Sequence, residues 1–387
     1  MIGGTSALGI GMLLALPAAL PAAASAGPHV KTIRPGHALY DVGVHPGITA
    51  AQARASELAG TTVPEYTATQ KVGTKSFTYT IVGKNPAIKV SNASTTVNAD
   101  IVPVIMKFSN GDTWDPTKTD SCDTGASALN RTQNSPIVKT QAHTFGGTSV
   151  GTVQVTNAFQ RAEFWKDAQP TGINPSYGVN LAFKTLKPVT ISVPNAQAFV
   201  LNQSIGCGNH LVGATMINWL DNHLQKVVIP SLKSQGVSST TFPVFLLHNF
   251  VEISGTQCCI LGYHNTFNTS AGAQTYGLAM YDNTGLFTGS GDISALSHEV
   301  AEWQNDPNTI NPTPAWGHIG QVSGCQANLE VGDPLSGTTF NDALGGFTYH
   351  PQELAFFSWF YHQKPSLGVN GWYSDQGTFT TPAAACT

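Results

Sequence analysis

Charge is what this sequence has least of. Asp, Glu, Lys and Arg together make up 10% of its 387 residues, against roughly 25% in an ordinary soluble domain. The formal net charge is -4, so no basic footprint exists for nucleic acid or anionic lipid, and nucleic acid is excluded as a partner. The six cysteines include no CxxC pair, which argues against a cysteine-ligated zinc. Past the N-terminus no apolar run approaches the ~20 residues that span a bilayer. Adjacency of Ser297 and His298 does not by itself make a nucleophile triad. In place of charge the chain carries 39 Gly and 23 Pro, with many Ser, Thr and Asn. A polar but uncharged surface of this kind suits a β-rich, loop-rich extracellular protein.

The N-terminus agrees. Leu8 to Leu20 is an apolar Ala/Leu/Gly run, and Ala24-Ser25-Ala26 follows as an A-x-A cleavage site. Pro17 and Pro21 break the run, so residues 1–26 are expected to be a signal peptide, not an anchor. The expected location is secreted, extracellular or periplasmic, with no stable membrane insertion after signal removal. An even number of cysteines in an exported chain permits disulfides. Cys258 and Cys259 are expected to pair with different partners, and Cys325 to brace its loop.

Residues 27–75, with Pro28, Pro35, Pro46 and Pro64, suggest a linker or propeptide, with a short helix from Ile48 to Leu58. Residues 76–205 then alternate β-branched and aromatic positions, as in Phe77–Val82, Ile101–Phe108 and Val189–Val193. In 206–387 a helical pattern from His210 to Val227 precedes strands at Thr241–Val251, Cys259–His264 and Tyr276–Tyr281. Asp292 then caps a helix from Ile293 to Asn305, and a last helix is expected from Pro351 to His362. The fold class expected is α+β, a β-rich N-terminal domain followed by a second domain built around the Ile293–Asn305 helix.

That helix carries the chemistry. Each helical residue advances about 100°, so positions i and i+4 share a face. His298 and Glu302 are such a pair, while Leu296, Val300 and Trp303 gather on the opposite side for packing. An imidazole and a carboxylate in register make half a cage for Zn²⁺. Glu299 stands beside them, placed to take a proton from a metal-activated water. A third ligand has to come from elsewhere, and Asn328-Leu329-Glu330-Val331-Gly332-Asp333-Pro334 offers two carboxylates. His318 is an outlying candidate. His248 and His264, on strand-like runs, read as satisfied core or cleft histidines and not as ligands.

Three segments occur in order: Ser297-His298-Glu299-Val300-Ala301-Glu302, Asp306-Pro307 and Glu330-Val331-Gly332-Asp333. In this they resemble a zincin-like group of secreted, metallopeptidase-related bacterial and fungal proteins with an H-E-x-x-E helix and a downstream Glu-(Ile/Val)-Gly-Asp segment. The resemblance covers roughly Gly206 to Thr387. It implies a zincin-like domain at 206–387 and a zinc site held by His298, Glu302 and either Glu330 or Asp333. It also implies Glu299 as catalytic base, with a peptide or protein as substrate. The chain departs from the H-E-x-x-H of peptidases by placing Glu302 where a second histidine would stand. A non-catalytic extracellular binding or cell-wall protein on the same fold is the alternative.

Overall fold

The computed structural model describes residues 31–34, 36–42, 47–202, 212–255 and 257–386. The expected signal peptide, as well as Cys207, lies outside these. A twelve-stranded mixed sheet organises the molecule, and four two-stranded hairpins and several short helices pack around it. The fold is therefore mixed α and β and rich in strand, in line with the composition.

The central strands are those the alternation predicts. Val189–Val193 has the predicted bounds, Ile101–Phe108 is the second half of Ser94–Phe108, and Tyr276–Tyr281 ends Gly272–Tyr281. Thr241–His248 is buried at every position. It lies in parallel between Ser94–Phe108 and Gly272–Tyr281, and strands covered on both faces read as continuous apolar runs. Gly272–Tyr281 pairs antiparallel with Gln257–Thr269. Thus strands from 76–205 and from 206–387 share one sheet, and the expected boundary between two domains runs through it.

The described parts of 27–75 carry regular structure. Lys31–Ile33 pairs with Phe199–Leu201, and Leu39–Val42 runs parallel to Gln257–Thr269. Ala50–Ala59 is a helix with a Thr49/Gln52 capping box, and Glu65–Val72 forms a hairpin with Lys75–Val82.

Other local expectations give way to tertiary structure. The Pro351–His362 helix is reduced to one turn at Phe357–Phe360. Ahead of it the backbone bonds outward instead, Ala355 N–H to Val331 and Phe356 N–H to Tyr373. The loop after Asn305 holds a hairpin, Pro312–Ile319 with Val322–Asn328. Cys258 and Cys259 bond to each other, against the expectation of different partners, where Gln257–Thr269 begins and its register with Phe250–Ser254 shifts. Cys325 does brace its hairpin, through Cys386.

The Ser294–Asn305 helix lies on the Gln257–Thr269 and Gly272–Tyr281 strands, and all its residues are buried. Trp303, on the predicted packing side, stacks on Phe242 at 3.6 Å between ring centroids. Asp292 is not a simple N-cap: its φ is +37°, and its carboxylate takes Ile293 N–H and both the N–H and the ring of His350. The polar side of this helix is covered as fully as the apolar one.

Candidate metal centre

His298 Nε2 lies 3.0 Å from Glu302 Oε2 and 3.7 Å from Asp333 Oδ1. The ligand atoms of these three buried residues all fall within 4.8 Å of one another. Helical spacing sets the first pair, and the turn Asp333–Leu335 delivers the third.

The imidazole is held on both faces. Tyr40, from the Leu39–Val42 strand, stacks on it at 3.7 Å between centroids and 18° between planes. On the other face lies Gly332, where a Cβ would come within 2.4 Å of His298 Nδ1. Gly332 has an ordinary φ of -88°, so its lack of a side chain serves the ring and not the backbone. Gly332→Ala is expected to push the ring off its seat. The cost is about 1–3 kcal/mol of stability in a denaturant melt, together with weakened metal binding. An unchanged melt with unchanged metal content would contradict that role.

The ring's protonation pattern follows from its neighbours. Gln352 Nε2 donates to Gly332 O at 2.6 Å, which leaves Gln352 Oε1 facing His298 Nδ1 at 3.1 Å. Nδ1 therefore donates, and Nε2 points at two carboxylates, Glu302 and Asp333. Only a positive charge there, a proton or a metal ion, satisfies both sides. Burial alone would lower the His298 pKa, but Glu302, Asp333 and Gln352 outweigh it and raise the value. Glu302 is fixed in turn by Gly332 N–H, which donates to its Oε1 at 2.9 Å. Gln321 donates to Asp333 Oδ1, and Gln326 to Oδ2 at 3.1 Å.

Of the two downstream carboxylates, Asp333 reaches His298 while Glu330 lies against Glu302. Burial, then the nearby Glu302, Asp306 and Asp333 charges, push the Glu330 carboxyl well above the usual range. Its side chain faces Glu302, and its Oε1 accepts Asn328 Nδ2–H at 3.1 Å. One imidazole nitrogen and two carboxylates, all buried and mutually within 4.8 Å, are a donor set that could hold a metal ion.

Glu299 faces the other way along the helix. Its Oε2 lies 3.3 Å from His264 Nδ1, and it fits only because residue 262 is glycine, where a Cβ would meet Glu299 Cγ at 2.8 Å. His264 is fully buried, and burial brings its pKa down to about 4. It belongs with the site and not with the apolar core. The signal was legible: strand alternation puts Gly262 and His264 on one face, and a glycine two residues before a histidine marks a close approach. Tyr40 and Gln352 had no such signal. His318 is exposed, beside the Cys325–Cys386 disulfide and away from this centre.

A cavity of about 290 Å³ opens outside the centre, lined in part by Leu39, Gln257 and Ile260, with Tyr40 and Gln321 between it and the ligands. Trp316 and Trp359 are packed inside, edge-to-face with each other. Gly147–Gly151 spells G-x-S-x-G, but Ser149 sits exposed in the Thr148–Val153 strand of a hairpin. A serine nucleophile of that motif needs a strand-to-helix elbow. His248 lies at the end of its strand, 3.3 Å from Asp120 Oδ2.

Compared with known proteins, the chain matches no family model, no curated sequence and no solved structure.

Proposed function

We propose that this chain is a secreted, zinc-dependent hydrolase of zincin-like type acting on peptide bonds. His298, Glu302 and Asp333 are the ligands, Glu330 is an acid held against Glu302, and Glu299 is the general base. The observation that carries this reading is the convergence of one imidazole nitrogen and two carboxylates on a single buried point. The order of the Ser297–Glu302 and Glu330–Asp333 segments supports the zincin-like assignment. The disulfides and the apolar N-terminal run support export.

A bound zinc ion supplies a Lewis acid and a water of lowered pKa. The protein's own part is to hold His298 in one tautomer through Gln352, to fix Glu302 through Gly332, and to keep Glu299 oriented by His264. The cavity beside Tyr40 is the approach for substrate, which reaches the ligands only when Tyr40 moves off His298.

The test measures metal in the purified chain, then hydrolysis of an unstructured polypeptide by wild type and Glu299→Gln, each also carrying Tyr40→Ala to uncover the ring. Glu299→Gln is expected to lower the rate by roughly 10²–10⁴-fold, the usual worth of a general base. A wild-type chain free of metal, with stability unmoved by His298→Ala, overturns the reading.

Complete burial favours a second reading, a non-catalytic extracellular or cell-wall binding protein in which the metal is structural, since structural sites are closed. Metal present with equal inactivity in all four proteins selects it.

A further inference from the structure

We propose that the chain binds a second cation beside the first, held by His264 Nδ1, Glu299 and Glu302, with the Glu302 carboxylate shared between the two ions. The proposal rests on the reading of His298, Glu302 and Asp333 as a metal site and deepens it.

Two distinct groups of ligand atoms meet at this helix, each with its members within 4.8 Å of one another: His298, Glu302 and Asp333, and His264, Glu299 and Glu302. Glu302 alone belongs to both. Its Oε2 lies 3.0 Å from His298 Nε2 and 3.7 Å from His264 Nδ1.

The two imidazoles are built alike. His264 Nε2 lies 3.1 Å from the Asp306 carbonyl oxygen. A carbonyl only accepts, so Nε2 carries the hydrogen. Nδ1 is thereby turned toward Glu299 Oε2 at 3.3 Å and toward Glu302. His298 repeats this with its nitrogens exchanged, Nδ1 donating to the Gln352 carbonyl and Nε2 facing carboxylates. An outer N–H tied to a carbonyl, with the inner nitrogen aimed at acidic oxygens, is how metal-ligating histidines are oriented.

Charge points the same way. Glu299, Glu302, Asp306, Glu330 and Asp333 are all buried, a concentration of carboxylate around two imidazoles that suits divalent cations. A bridging carboxylate is the usual link in two-metal sites, whose ions lie roughly 3.5–4 Å apart.

The proposal also recasts Glu299. A carboxylate bound to an ion changes metal content when it is replaced, whereas a base that only takes a proton changes the rate alone. The full chain is stripped with chelator, then titrated with Zn²⁺ by equilibrium dialysis, and with Mn²⁺ by electron paramagnetic resonance. Wild type, His298→Ala, His264→Ala and the near-isosteric Glu299→Gln are compared, with circular dichroism as the control for folding. Two ions per wild-type chain are expected, falling to one in each variant, with exchange-broadened Mn²⁺ signals in wild type only. One ion in wild type, lost in His298→Ala but kept in His264→Ala and Glu299→Gln, overturns the second site and leaves the first standing. One ion lost from both histidine variants means a single shared centre and also overturns it. No ion in wild type overturns both. Should His264→Ala fail to fold, Glu299→Gln decides alone.

Discussion

Replacing Glu302 with glutamine is expected to strip the chain of bound metal and, at the same time, to make the metal-free protein less stable than wild type. Glutamine has the same shape and keeps an acceptor for Gly332 N–H, which now donates to Glu302 Oε1 at 2.9 Å. What it removes is the charge at the oxygen that lies within 4 Å of both His298 and His264. Loss of a direct ligand should weaken affinity by more than the roughly 10–100-fold that follows loss of an outer-shell partner. In the metal-free chain the same change takes from the buried His298 its 3.0 Å carboxylate partner, and breaking a buried pair by removing one side costs roughly 3–5 kcal/mol. With metal at 1,000 times its dissociation constant, wild type should gain about 4 kcal/mol, and the variant should gain nothing. The measurement is a pair of thermal melts with and without Zn²⁺. Equal metal-induced shifts in the two proteins would remove Glu302 from the ligand set.

Away from this centre, Glu163 is expected to make the protein lose stability as pH rises. Glu163 is fully buried, its Oε2 accepting Phe357 N–H at 2.7 Å. Burial pushes its pKa from 4.5 up to about 8, against the opposing hydrogen bonds from Phe357 and Asn305. The folded state thus holds a proton that the unfolded chain releases near its ordinary value. Where the native state binds more protons, stability falls with pH. The contribution is whole below the unfolded value and drains away up to about pH 8, a loss on the order of 4 kcal/mol. Glu163→Gln should flatten that decline, its amide still accepting from Phe357. Glu65, likewise pushed up to about 8 by burial, leaves some slope behind. Urea midpoints at low and high pH decide the matter; parallel declines in variant and wild type would show that Glu163 is not the source.

What the sequence made legible divides along the range of the interactions involved. Val189–Val193 and Tyr276–Tyr281 follow from alternation, because each residue's face is set by its immediate neighbours. The His298/Glu302 pair follows from helical spacing in the same way. Lys31–Ile33 and Leu39–Val42 are three and four residues long, too short for a period, and exist because Phe199–Leu201 and Gln257–Thr269 offer them an edge. The Pro351 segment has the composition of a helix, but Val331 and Tyr373 take the N–H groups a helix would have used. His264 had a visible strand around it; what stood opposite that strand face was not encoded nearby. The choice between Glu330 and Asp333 needed the seat that Gly332 makes for the ring, a contact across more than thirty positions of chain.

The Tyr40 ring lying on His298 has a consequence in time as well as in space. An ion behind that ring, behind Gln321 and within fully buried ligands, does not exchange by stepping on and off its ligands alone. Each exchange waits for the Leu39–Val42 strand to part from Gln257–Thr269, a local opening whose frequency belongs to the fold. Residence time at the centre is then set by how often an edge strand lifts. A weakly coordinated ion can be held there as long as a tightly coordinated one, and a chelator strips both at the same pace.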